Sequence, residues 1–281
     1  MLTIVGELIN TSRPLVKEAV QNKDEAFIRE LAKKQADAGA TYIDVNCGNM
    51  VKNELEIMEW LVNIVQDEVD TPLCIDSPNA KALDVGLALC KNGRPMINSI
   101  SDEDERYESV CPFIKKYNAK IVVLCMDSTG MPETSADRMK VVHNLYAKLK
   151  AEGIADDDMY FDPLVKPISS VTSAGAEVLD TIRQIKQDYP DVHFMCGLSN
   201  ISYGLPNRSI LNRLFVVQTM TLGMDGYVLD PTNGKMMADI ITATALLGRD
   251  SYCSKYIKAH RKGKLDASSD AEPDDFILQV K

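Results

Sequence analysis

The chain has 281 residues, 45% apolar and 26% charged, enough to bury a core and too mixed in character for a disordered polymer. Its 41 acidic against 31 basic residues leave a formal charge of -10, which repels nucleic acid and anionic membranes. No apolar run approaches the ~18 residues of a membrane span, and the opening MLTIVGELINTS lacks the cationic start of a signal peptide, so a cytoplasmic protein is expected.

Short β-rich apolar runs alternate with longer amphipathic stretches, eight times. Thr3–Gly6 is followed by a helical pattern at Asp24–Ala38, Tyr42–Asn46 by Glu54–Glu68, and Leu73–Asp76 by Ala80–Leu89. Pro95–Asn98 precedes Glu103–Tyr117, Ile121–Cys125 precedes Ala136–Ala151, and Met159–Asp162 precedes Ala176–Gln187. His193–Gly197 with Ser209–Leu222 and Gly226–Leu229 with Lys235–Leu247 complete the series. In the helical stretches apolar residues recur at steps of three and four, as in Leu55, Met58, Leu61, Val62 and Val65. Gly39, Gly153, Gly223 and Gly248 stand where helices should end.

Eight βα units over roughly 250 residues predict a closed (β/α)8 TIM barrel over residues 1–262, in the α/β class, as a single domain. A doubly wound open sheet is the alternative, but neither GxGxxG nor GxxxxGK[ST] occurs. An extra helix at Cys253–Lys262 should precede a flexible acidic tail over 263–281. The seven cysteines contain no CxxC pair and the three histidines no ligand spacing, so reduced thiols and no protein-bound metal are expected.

In a barrel of this kind chemistry belongs at the carboxyl ends of the strands. The polar residues there are Glu7 and Asn10, Asp44 and Asn46, Asp76 and Ser77, Asn98 and Ser99, Asp162, Ser199 and Asn200, and Asp230. Carboxylates and amides without a histidine suit a flat heterocycle bearing N–H donors and carbonyl acceptors; phosphate would want cations or a glycine-rich nest. The competing reading is that these Asp and Asn residues cap the helices that follow.

At these residues the sequence resembles the methyltetrahydrofolate:corrinoid methyltransferases of the pterin-binding barrel group. That group also holds dihydropteroate synthase and the folate domain of cobalamin-dependent methionine synthase. The matching stretches run in order: GELIN (Gly6–Asn10), DVNCG (Asp44–Gly48), MEWL (Met58–Leu61), LCIDS (Leu73–Ser77), MINS (Met96–Ser99), YFDPL (Tyr160–Leu164), GLSN (Gly197–Asn200) and NRSILNR (Asn207–Arg213). The resemblance implies that Asp76, Asn98 and Asp162 hold the pterin ring, with Asp162 on its amino-pyrimidine edge. It implies that Asn200 reaches N5, the atom carrying the methyl group, with Asp76 as the second catalytic residue. Gly197 and Ser199 would line the same wall, Arg208 would position the folate, and Glu7, Asn10 and Asn46 would lie near the mouth.

The implied activity is methyl transfer between N5 of tetrahydrofolate and cobalt, in either direction. The substrate would be tetrahydrofolate or 5-methyltetrahydrofolate. The sequence lacks the DxHxxG signature of corrinoid modules, so the corrinoid would come on a separate partner protein. A homodimer is also implied. The alternatives are a dihydropteroate-synthase-like pterin enzyme and a non-catalytic folate-binding protein. The first would carry a glycine-rich loop with Lys after Asp-Pro, where this chain has DPLVKPISS.

Overall fold

The computed structural model describes residues 2–266, so the segment 267–281, which holds most of the expected acidic tail, lies outside the described residues. The chain runs β1 (Thr3–Gly6), α1 (Pro14–Gln21), α2 (Glu25–Ala38), β2 (Tyr42–Asn46), α3 (Glu54–Glu68), β3 (Leu73–Asp76), α4 (Ala80–Leu89), β4 (Met96–Asp102) and α5 (Asp104–Lys116). It continues through β5 (Lys120–Asp127), α6 (Ser135–Ala151), β6 (Met159–Asp162), α7 (Ala174–Asp188), β7 (His193–Phe194), α8 (Arg208–Thr221), β8 (Gly226–Leu229), α9 (Gly234–Leu246) and α10 (Ser254–Arg261).

Five of the eight strands have the expected bounds. Strands β4 and β5 run further than expected, to Asp102 and Asp127, with register shifts past Asn98. Helix α1 was not expected. It begins with Pro14 at its first turn, has no capping side chain at Arg13, and buries only Val16, Ala19 and Val20. Eight residues without a side-chain cap give too short a periodic signal to read. The expected ends at Gly39, Gly153, Gly223 and Gly248 all have positive φ, the left-handed conformation that glycine adopts without strain.

The strands pair in parallel in the order β7-β6-β5-β4-β3-β2-β1-β8. The two ends of that order meet: the Val228 N–H donates to Cys196 O at 2.9 Å, and Gly197 bridges Val228. The ring therefore closes as a (β/α)8 barrel. Its interior is plugged by Val5, Tyr42, Cys74, Met96, Val122, Tyr160 and Met195, one from each of seven strands or strand extensions. A second apolar layer packs the outward strand faces against the helices.

Closure depends on Gly226. A Cβ there would stand 2.1 Å from the carbonyl oxygen of Phe194 on the facing strand. Below, at the amino ends of the strands, His193 stacks on Tyr160 and sits between two carboxylates. Its Nδ1 is 2.6 Å from Asp225 and its Nε2 2.9 Å from Asp157. The Asp225 hydrogen bond, helped by Asp157, raises the His193 pKa above its ordinary 6.5.

Two stability predictions follow from these contacts. Gly226→Ala should destabilise the fold by about 2 kcal/mol or more, as backbone overpacking does. Gly175→Ala, where the nearest side-chain atom is 3.7 Å away, should be neutral or stabilising. Equal urea midpoints for the two variants would contradict the closure argument. For His193 the folded pKa lies above the unfolded one, so its contribution is complete below pH 6.5 and fades as pH rises through the folded value. The melting-temperature gap between the parent and His193→Gln should therefore narrow on raising the pH from about 6 to 9. A gap that widens would reverse the assignment.

Candidate functional site

A strand leading into a helix brings the end of each strand and the first turn of each helix to one rim. Register then decides which side chains stand together. Asn46 is level with Asp76, and Asp76 with Asn98, so three polar residues from β2, β3 and β4 form one row. Asn46 donates from Nδ2 to Asp76 Oδ2 at 2.8 Å, and its Oδ1 accepts from the Gly48 N–H. A cavity of about 340 Å³ opens over this row, lined by Asp76, Asn98, Ser99, Ser101, Arg106 and Leu124. Leu124 of β5 is in register with Asp162 of β6, which continues the rim.

The carboxyls of this rim are crowded and dry. Burial pushes the Asp76 pKa up to about 6, against the opposing pull of Asn46 and Arg106. Burial pushes Asp162 up to about 7, although it accepts the Leu164 N–H at 2.8 Å. Asp44, 2% exposed beneath Asp76, has a buried Oδ1 with no partner. Its burial, with Asp76 and Glu7 nearby, raises its pKa well above the ordinary carboxylate range. Glu7 is raised by burial too, while its contact with Arg13 at 3.3 Å pulls the other way. Such a rim stands ready to accept N–H donors from a ligand, because that ligand would restore the carboxylates' charged form.

Neither Asp76 nor Asp162 caps a helix. The cap of α4 is Asn79, which accepts from the Lys81 N–H, and Asp162 turns its own loop at Leu164. Asn10 accepts from the Ser12 N–H and hydroxyl and bridges Asn46. On the far side, Gly197 leads into a 3-10 turn, Leu198–Ser202, carrying Ser199 and the exposed Asn200. A Cβ at Gly197 would stand 3.2 Å from Asn200 Nδ2, so the glycine leaves room for that amide. Arg208 spends two donors on the same turn, at Ser199 O (2.9 Å) and Ser202 Oγ (3.1 Å).

The thiols supply no nucleophile here. All seven cysteines are free, and burial pushes Cys47, beside the row, up to about 12. Among the described residues no group of His, Cys, Asp and Glu is arranged to hold a metal ion. A larger cavity, about 570 Å³, lies at the opposite end of the barrel between α8, α9 and the start of β1. Leu2, Ile4, Met220 and Ile240 line it, and none of the strand-end carboxylates and amides converges there.

Sequence reading missed three charged residues that build this rim. Glu54 accepts from the Ser77 hydroxyl and from Asn79 Nδ2, fixing the turn after β3. Arg106 donates to backbone carbonyls of the loop after β3 and of β4 itself, and Arg138 to those of the loop after β6. Arg208 was noticed, but as a ligand contact and not as a loop tie. The signal was present: each extends the buried stripe of its helix into the first turn. Arg106 precedes Val110 and Ile114, Arg138 precedes Val142 and Leu145, and Glu54 precedes Met58 and Leu61.

The chain is 39% identical over 266 residues to the methylcorrinoid:tetrahydrofolate methyltransferase of Eubacterium limosum, covering 94% of this chain and 98% of that one. It is 26% identical over 239 residues to the methionine synthase of Mycobacterium tuberculosis, covering 80% of this chain but 20% of that much longer protein. In fold it is similar to the dihydropteroate synthase of Clostridium difficile, with a TM-score of 0.68, 18% identity, and 87% and 96% of the two chains covered. Residues 6–229 match the pterin binding enzyme family, and they span the whole rim from Gly6 to the end of β8. The chain belongs to the pterin-binding enzymes.

Proposed function

We propose that this chain is a methyltransferase that moves a methyl group between the cobalt of a corrinoid on a separate protein and N5 of tetrahydrofolate. The observation that carries the reading is the row Asn46, Asp76 and Asn98, continued by Asp162, in a chain 39% identical over nearly its full length to a methylcorrinoid:tetrahydrofolate methyltransferase. The likeness to dihydropteroate synthase is at 18% identity and concerns the fold alone.

In this reading Asp162 accepts paired N–H bonds from the amino-pyrimidine edge, and Asp76 and Asn98 hold the remaining ring polar groups. Asn46 keeps Asp76 in place. Ser199 and Gly197 line the opposite wall, with Arg208 bracing their turn, and Glu7 and Asn10 close the rim near β1. Transfer toward tetrahydrofolate is the direction named for the relative. The N5 lone pair then forms the bond to the methyl carbon while cobalt keeps the electron pair of the bond that breaks. N5 gains positive charge and must give up its proton. The Asn200 amide oxygen would hold that proton by a hydrogen bond, and Asp76, with a pKa of about 6, is a suitable final acceptor. Catalysis is then positioning plus modest proton assistance.

The rim is also fitted for a macromolecular visitor. Val51, Met131 and Tyr203, on the loops after β2, β5 and β7, are exposed apolar side chains around the mouth. A homodimer fits Ile210 and Leu214, exposed one turn apart on α8; equilibrium sedimentation reads the assembly directly. No described helix is long and apolar enough to cross a membrane, and seven free thiols suit a reducing cytoplasm.

The deciding assay mixes the chain, tetrahydrofolate and a methylated corrinoid protein without oxygen. Product 5-methyltetrahydrofolate supports the reading, and folate binding without transfer would leave a binder only. Asp162→Ala should weaken tetrahydrofolate binding by about 2–4 kcal/mol through the lost charge-assisted pair. Parental affinity should fall as pH drops below about 7, where the free carboxyl takes its proton, and the variant should lose most of that slope. Unchanged affinity by calorimetry would remove Asp162 from the site. Asn200→Ala should lower the single-turnover rate by roughly two decades while the folate dissociation constant moves about tenfold or less. A variant that binds poorly yet reacts at the parental rate when saturated would make Asn200 a binding residue only.

A further inference from the structure

Arg106 stands in the first turn of α5, half-buried, and lines the cavity. It donates four hydrogen bonds, all to backbone carbonyls. Nε and Nη2 reach Ser99 O at 2.9 and 2.6 Å, Nη2 reaches Ser77 O at 2.9 Å, and Nη1 reaches Pro78 O at 2.8 Å. Ser77 and Ser99 are the residues immediately after Asp76 and Asn98. One planar cation thus joins the backbone leaving β3 to the backbone of β4 at the two positions that face the row.

The bonding pattern separates this arginine from an ordinary structural ion pair. No carboxylate among the described residues lies within ion-pair distance of it, and its neighbour Glu103 is occupied by the Ser101 hydroxyl at 2.7 Å. Arg138 makes a similar set of carbonyl bonds beside Asp162, but it is fully enclosed in the core. Arg106 lines the cavity itself and stabilises the charged form of Asp76. A lysine could supply the charge but not a fork that meets three carbonyls in one plane.

We propose that Arg106 is a positioning residue for ligand binding: its clamp on Ser77, Pro78 and Ser99 sets the spacing between Asp76 and Asn98. This rests on the folate reading of the site. Removing the fork frees the loop after β3 from the rim half of β4 and leaves the barrel core intact, so ligand affinity should suffer far more than stability.

The test compares the full-length parent, Arg106→Met and Arg106→Lys by anaerobic tetrahydrofolate binding and by thermal melting. Arg106→Met should bind about 30-fold more weakly, and Arg106→Lys about tenfold, since lysine restores charge without the bidentate geometry. Both should melt within about 5 °C of the parent. Affinity within about threefold of the parent in Arg106→Met, or full recovery with lysine, would overturn the clamp. If the methionine variant does not fold, the lysine variant's affinity decides. Amide hydrogen exchange is measured in parallel without ligand. Over residues 77–82 and 99–104 it should quicken about tenfold or more in Arg106→Met. If the parent itself binds no tetrahydrofolate, the functional reading has failed, and the exchange rates alone still uphold or sink the clamp.

Discussion

Closing eight parallel strands into a ring imposes a contact between backbones that no side chain can mediate. Gly226 of β8 lies so near the Phe194 carbonyl of β7 that a single added carbon would stand 2.1 Å from it. The β7–β8 seam has few backbone contacts, a two-residue strand, one bridge at Gly197 and the Val228 hydrogen bond to Cys196, and Asp225 adds side-chain bonds to His193 and to the Phe194 N–H. Everything at the mouth depends on this closure. Only in a ring do the ends of β2, β3, β4 and β6 come to a common rim.

The same convergence concentrates buried charge. Glu7, Asp44, Asp76 and Asp162 all have pKa values raised by burial, and they come from four strands around one rim. An apolar plug of Tyr42, Cys74, Met96 and Tyr160 keeps water from below. The barrel eases the arrangement by spending Asn46 on Asp76. Hydrogen-bond donors brought to this rim by a ligand would favour the charged carboxylates against the cost of their burial.

Four charged residues do the supporting work from the helices. Glu54, Arg106, Arg138 and Arg208 occupy the first turns of α3, α5, α6 and α8, on the faces turned toward the barrel. In a βα unit that position lies just under the loop that follows the strand. The three arginines donate mainly to carbonyl oxygens, so they fix backbone and leave the rim side chains free for ligand.

By itself the sequence determined the eight alternating elements, the five strands with matching bounds and the glycine stops, because these follow from period, burial and left-handed φ, all of which are local. It also carried the rim residues, since a strand's last inward position can be counted from its apolar run. Helix α1, too short and uncapped, was not legible in this way. Tertiary structure alone decided which rim residues touch: register set Asn46 beside Asp76 and Asp76 beside Asn98, and register depends on every strand in the ring. It alone turned Arg208 onto Ser199 and tied Arg106 to the loop after β3 at Ser77, 29 positions away, because such partners meet only once the chain has folded. The apolar stripes held the trace of those arginines, but only the fold showed what each one grips.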